Sequence, residues 1–310
     1  MELRQLRYFV AIVDHGSLSR AARVLHIAQP ALTQQIRQLE EELGAQLLHR
    51  SAQGVMSTDA GKIFYEHAQA ILKQVGDAKW AVAQSNDKPS GTVALGVPQS
   101  VSSALALPLL TAVREHYPEI SLQLTEELSG SLIEQLKSGR INLAVLFDDG
   151  QLGAFSTTPL VEEQMMFITR ADSQFAPKGK TISLAKATQA PLILPGLQHG
   201  VRPRIEGIVR AAGLSIPHVI DINSVAILRS AIMADLGATI LPVAPVLPEI
   251  NLGQMKAYAI SGADISRTIA LCSSRNIPLT NAAAAVKRLV LRTSHDLCSR
   301  GQWPGASTIA

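Results

Sequence analysis

The stretch from Ser17 to Glu40 constrains this chain more than any other. It reads as two short helices joined by a tight turn, the second apolar on one side and carrying Gln, Thr and Arg on the other. Ser17 is placed to cap the first segment, and Pro30 suits the first turn of the second, where its missing N–H costs nothing. Leu32, Ile36, Leu39 and Leu43 commit one face of the second segment to a core. Gln29, Thr33, Gln34 and Arg37 are then left on the outer face. Gln and Arg can pair with two atoms of a base edge at once, and Thr can bond an edge or touch a thymine methyl. The pattern predicts a helix-turn-helix whose second helix enters the DNA major groove. On this stretch alone, an ordinary αα-hairpin with a polar outer face stays open as the alternative.

Charge by itself points to no nucleic-acid partner. The 310 residues carry a formal net charge of +3, and within residues 1–58 six arginines face five acids. Three of those acids cluster at Glu40 to Glu42, the far end of the outward-facing helix. The length predicts two or three domains, and 47% apolar residues suffice for sizeable cores. Cys272 and Cys298 have no metal-ligand or redox spacing and read as idle thiols. The N-terminus mixes acids and bases unlike a signal peptide, and the apolar run Ala238 to Pro248 is interrupted and too short to span a bilayer. The expectation is a soluble cytoplasmic protein with no membrane partner.

Ahead of the helix-turn-helix, Leu3, Leu6, Phe9, Val10 and Val13 predict a supporting helix ending before Gly16. Behind it, two short apolar runs flank Ser51 to Gly54 and predict a two-stranded wing. Arg50 and Gln53 are the wing's candidates for phosphate or minor-groove contact, with Arg50 as an anchor inside its own domain equally open. Thr58 and Asp59 then start a long helix. Along it Phe64, Ala68, Ile71, Val75, Ala78 and Val82 step by four and three, which is a heptad seam, and the expectation is pairing with a second copy. Packing onto the chain's own second domain is the alternative. Ser85 to Gly91 is polar and helix-breaking and marks a boundary.

Beyond the boundary, strand and helix alternate: strands at 92–97, 120–124, 143–147, 165–168, 192–194, 219–222, 238–241 and 268–272, with helices between them and after Thr280. This predicts a parallel α/β sheet with helices on both faces, the last strand returning to the first sheet. The domains expected are 1–58, a winged helix-turn-helix; 59–90, linker helix and hinge; and 91–310, a regulatory part. Its first lobe takes about 91–161 and 266–303, and its second about 162–265.

No catalytic or metal motif stands out. Gly179-Lys180-Thr181 echoes the end of a phosphate loop, but Gln174 stands where a glycine is needed. What remains is binding at strand ends, where helix N-termini offer free N–H groups. Ser100, Ser102, Ser129 and Ser131 from one lobe and Gln198, His199 and Arg202 from the other suit a small carboxylate. Helix capping is the plainer role for each serine.

Ser17-Leu18 with Ala21-Ala22, Gln29 to Leu32, Leu39-Glu40, Leu43-Gly44, Leu47, Leu48, Arg50, Gly54, Thr58 and Ala60-Gly61 stand at a spacing that resembles the LysR-type transcriptional regulators. Pro108, Pro118, Gly139 and Gly237 to Pro242 resemble that family's regulatory domain, so the likeness runs nearly the whole length. Ile27 to Leu32 and Ala60 to Ile63 are similar to the nitrogen assimilation control branch. The resemblance implies a winged helix-turn-helix, paired linker helices and a two-lobed periplasmic-binding-protein-like domain, assembled as a homodimer or homotetramer. It implies DNA contacts by Gln29, Pro30, Ala31, Thr33, Gln34 and the wing, and a cleft lined by Ser100, Ser129 and the 198–202 loop. The implied partners are double-stranded promoter DNA, further copies of the chain, a small effector and RNA polymerase, with no cofactor, metal or enzymatic activity. The nitrogen-control branch also opens an effector-free reading. A solute-binding module using its N-terminal helices for assembly, and an enzyme on the same fold, are rivals. Thr33, Ser57, Asn142 and Asp235 depart from the family's usual Ser, aliphatic, Asp and Gly.

Overall fold

The computed structural model describes residues 1–51, 54–83, 88–197 and 200–309. Two compact units make up the chain, the first built on Met1–Ala83. Its elements are α1 (Leu3–His15), α2 (Leu18–Val24), α3 (Gln29–Leu43), β1 (Leu48–Ser51), β2 (Gly54–Ser57) and α4 (Asp59–Ala83). Leu6, Phe9, Ile12, Ala21, Ala22, Leu32, Ile36 and Leu39 close one small core between the first three helices, with Leu47 and Leu48 joining from the wing. Ser17 caps α2 by accepting from the Arg20 N–H at 3.4 Å, and Pro30 lies in the first turn of α3. β1 and β2 pair antiparallel, Leu48 opposite Ser57.

Two expectations for this unit change. Leu43 is 39% exposed, because α3 ends there and Gly44 turns left-handed at φ 63°. Phe64 and Ala68, placed at the head of the heptad seam, instead pack into the unit's own core. A long helix following a small domain lays its first turns against that domain, so those residues are satisfied within the chain. The seam left over runs from Ile71, with Ala78 and Val82 exposed.

In the second unit β3 (Gly91–Val97), α5 (Gln99–His116), β4 (Ile120–Glu126), α6 (Ser129–Ser138) and β5 (Leu143–Asp148) form the expected strand-helix units. β6 (Phe155–Gln164) and β7 (Met166–Arg170) lead into a second lobe. That lobe holds β8 (Thr181–Ser183), α7 (Leu184–Ala187), β9 (Leu192–Leu194), α8 (Val201–Ala211), β10 (Val219–Asp221), α9 (Val225–Met233), β11 (Thr239–Leu241), α10 (Leu247–Asn251) and β12 (Met255–Ser261). β13 (Ser266–Ser274), α11 (Asn281–Ser299) and β14 (Ala306–Thr308) return to the first lobe.

The first lobe's sheet has the order β14-β6-β13-β5-β3-β4. β3 runs parallel to β4 and β5, but β13 is antiparallel to both its neighbours and β14 is antiparallel to β6. The sheet is therefore mixed, not the parallel sheet expected, because the chain crosses between the lobes along β6 and returns along β13. Alternation along β3 divides two cores. Val93, Leu95 and Val97 pack with α5 and α11, while Ala94 packs with Leu132 and Leu136 of α6. The second lobe is built on β11-β7-β12-β8 with the parallel pair β9 and β10 beside it. Asn142, where the family favours Asp, accepts the Ala94 N–H at 2.9 Å through its side chain. Asp235, where a glycine is common, sits at φ 57°, the backbone region that makes glycine the usual occupant.

Candidate nucleic-acid interface and effector cleft

α3 presents Gln29, Pro30, Ala31, Gln34 and Arg37 as exposed residues, with Thr33 half-buried between them. The face exists because Leu32, Ile36 and Leu39 anchor the opposite side. Gln29 is held in place by the Ser19 hydroxyl of α2, which donates to its Oε1 at 2.8 Å. Arg37 forms an exposed pair with Glu41 one turn on, at 2.8 Å, of a kind that contributes little and leaves the guanidinium free to move to another anion. Gln53 lies outside the described residues.

The wing is tied to α3 by a residue that charge counting misassigns. Glu40 accepts the N–H groups of Leu47 and Leu48 at 2.8 and 3.1 Å, so it is a bracket for β1, where the sequence shows only one member of an acidic cluster. Its other oxygen lies 3.9 Å from Arg50, whose side chain is 38% exposed. Arg50 thus combines the two roles left open: loosely paired inside the domain and still accessible. Thr58 closes the wing from the other side, donating to the Gln46 carbonyl at 2.7 Å and accepting from Gly61 N–H at 2.9 Å.

In the second unit the two lobes meet at a cavity of about 20 Å³ lined by Gln99, Ser100, Pro195, Ile222, Asn223, Val225, Leu228 and Leu241. Among the described effector candidates, Ser100 lines it and Ser102, Ser129, Ser131 and Arg202 do not. Ser100 is buried and accepts from Arg267 Nη2 at 2.9 Å. Ser102 donates to Glu126 and to the Gln99 carbonyl, and Ser131 donates to Glu127. Ser129 opens α6 with a buried hydroxyl for which no partner occurs among the described residues. Arg202 does not offer its charge to a ligand: it is buried and spends its guanidinium on Glu206 at 2.6 Å, Asp221 at 2.8 Å and the Pro195 carbonyl at 3.4 Å. An arginine in the first turn of α8 must be neutralised locally when its helix packs down, and Glu206 one turn later does so. Gln198 and His199 lie outside the described residues.

A buried polar cluster behind Ser100 escaped the sequence reading. Arg267 of β13 is 3% exposed and pairs with the fully buried Glu163 of β6 at 2.6 Å. It lies over the Phe147 ring at 4.1 Å, and Trp303 donates its indole N–H to Glu163 at 2.8 Å. These partners are joined by sheet pairing across more than a hundred residues, and no local spacing reports that. The thiols are free. Burial pushes Cys272 up to about 11 and Cys298 upward as well, which leaves little reactive thiolate.

A winged helix-turn-helix joined to a two-lobed periplasmic-binding-protein-like domain defines a class, that of DNA-binding transcriptional regulators with a ligand-binding domain. Residues 3–62 match the model of the bacterial regulatory helix-turn-helix proteins of the lysR family, and residues 86–294 match that of the LysR substrate binding domain. The chain belongs to the LysR family. It is 36% identical over 292 residues to the nitrogen assimilation regulatory protein nac of Klebsiella aerogenes, covering 94% of each chain. To the nac protein of Escherichia coli K12 it is 36% identical over 307 residues, covering 98% of this chain and 99% of that one. Its fold is similar to that of full-length CbnR complexed with its target DNA, with a TM-score of 0.71 at 24% identity, over 94% of this chain and 100% of that one. These relatives are regulators, and the chain is a regulator in place of the rival solute-binding module or enzyme. No helix among the described residues is long and apolar enough to cross a membrane.

Proposed function

We propose that the chain binds promoter DNA sequence-specifically as a dimer or tetramer, reading bases with Gln29, Thr33, Gln34 and Arg37. In this reading Pro30 and Ala31 approach the groove, Arg50 and Gln53 meet the backbone, and Ile71, Val75, Ala78 and Val82 pair linker helices. The observation that carries it is the exposed face of α3, a row of bidentate-capable side chains held by a core on the opposite side and by a wing bracketed on Glu40. Full-length CbnR, of similar fold, has been seen complexed with its target DNA, which supports the same use of this fold. The test is Gln34→Ala in a gel-shift on a cognate promoter fragment against a scrambled one. A base contact predicts a loss of preference of about 1–3 kcal/mol for the cognate site, and equal loss on both fragments would remove the base-reading role.

A small effector between the lobes, of the carboxylate class expected from the sequence, would shift the spacing of the paired readers. An effector-free regulator of the nitrogen-control type is the second reading. The likeness to the two nac proteins supports it, as does the small volume, about 20 Å³, of the cavity between the described residues. A thermal-shift screen against small carboxylates separates the two, a flat result supporting the second.

A further inference from the structure

A side chain of the first lobe reaches across the cavity to the backbone of the second. Gln99 is the first residue of α5 in the first lobe, and Val225 is the first residue of α9 in the second. The Gln99 amide oxygen accepts the Val225 N–H at 3.0 Å. Two helix N-termini from opposite lobes therefore converge, and the free N–H of one is served by a residue of the other. A helix N-terminus favours an anion or an oxygen acceptor, and here the acceptor is supplied by the chain.

The surroundings are already committed in the same way. Asn223 accepts the Gly196 N–H at 2.9 Å, and Ser100 is held by Arg267. Behind Ser100, Arg267 is 3% exposed and its Nη1 has no hydrogen-bond partner among the described residues. The space left open among these residues, about 20 Å³, is that of roughly one water.

We infer that Gln99 is a built-in latch of the interlobe cleft, its amide oxygen occupying the place at the α9 N-terminus that a dissociable ligand's oxygen would take. The inference rests on the reading of this cleft as the family's ligand site. A latch of this kind holds the lobes closed without a ligand and requires any incoming small molecule to displace it, so that apparent affinity is the intrinsic affinity scaled by the small fraction with the latch open. The side chain is neutral, so it satisfies the N–H without burying a further charge beside the Arg267–Glu163 pair.

The experiment uses the full chain and thermal melts of wild type, Gln99→Met and Gln99→Ala, each with and without acetamide or acetate, with sodium chloride as the ionic control. Met keeps the side-chain bulk and drops the acceptor; Ala empties a space that acetamide or acetate can refill. The latch predicts that both variants melt lower, by roughly 2–6 °C. It also predicts that the probes restore Gln99→Ala and leave wild type unmoved. A Gln99→Met protein that melts with wild type would overturn the latch. So would a wild type that gains from acetate as much as Gln99→Ala does, a result that would keep the cleft as a ligand site. If Gln99→Ala melts low and recovers with neither probe, the latch and the ligand-site reading fail together.

Discussion

The rings of Phe9 and Phe64 meet edge to face, with centroids 5.2 Å apart and planes inclined at 65°. The contact fixes the first turns of the linker helix α4 to the first helix of the same chain. The heptad-like spacing along α4 therefore serves two partners in succession: the domain's own core through Phe64 and Ala68, then whatever covers the exposed face beyond Ile71.

That division predicts opposite behaviour at its two ends. Phe64→Ala removes a half-buried ring and an edge-to-face pair, and should destabilise the DNA-binding unit by about 2–4 kcal/mol in urea unfolding. Val82→Glu, at a site 89% exposed, should leave unfolding unchanged at fixed oligomeric state and shift light-scattering mass toward the monomer. A Val82→Glu protein with the wild-type mass would remove this end of α4 from the pairing surface.

Arg50 sits 3.9 Å from Glu40 while keeping an exposed side chain. Such a loose pair contributes little to stability, so Arg50→Ala should change unfolding by less than about 0.5 kcal/mol. If it meets a phosphate, the same variant lowers DNA affinity across sequences and flattens the plot of log affinity against log salt by about one unit. An unchanged salt slope would leave Arg50 as an anchor only.

Gly61 has no room for a side chain. A Cβ there would lie 2.0 Å from the Leu47 carbonyl oxygen, a backbone atom that cannot rotate away. Gly61→Ala must push α4 off the wing, and overpacking of this sort costs about 1–3 kcal/mol or more. Because Leu47 and Leu48 are the residues Glu40 brackets, DNA affinity should fall together with stability. Wild-type unfolding in this variant would mean that the wing and α4 do not pack as described.

What could be read beforehand was local. The outer face of α3, the Ser17 and Thr58 caps and most strands of the second unit follow from residue spacing within one turn or one strand. At Asp235 the sequence marks only a departure from the family's common glycine, and the left-handed φ of 57° comes from the structure. The failures share one physical cause, namely that distant chain decides the partner. Phe64 and Ala68 carry a heptad signal that cannot say which helix fills it. β6 was missed because Pro159, Glu162 and Glu163 interrupt any alternation, yet Glu163 is buried there by Arg267, and β13 supplies that arginine from far along the chain. Arg202 reads as an open cation as long as Asp221, which comes beside it only when α8 packs, is out of view; Glu206, one turn on in the same helix, is the local partner that spacing alone could have supplied.

Tyr65 of α4 donates its hydroxyl to Asp14 of α1 and accepts from Gln69 at 2.7 Å. Burial, reinforced by the Asp14 carboxylate, raises its hydroxyl from the ordinary 10 to about 12. The folded state thus holds this proton more tightly than the unfolded chain does. The associated stability is complete below about pH 10, the unfolded value, and is lost as pH rises through about 12. Lysines titrate in the same window, so the comparison must be with Tyr65→Phe. That variant should lose about 1 kcal/mol at neutral pH with the hydrogen bond, and its deficit against wild type should shrink as pH climbs from 10 toward 12. A deficit constant across that range would mean that Tyr65 contributes packing and no proton-linked contact with Asp14.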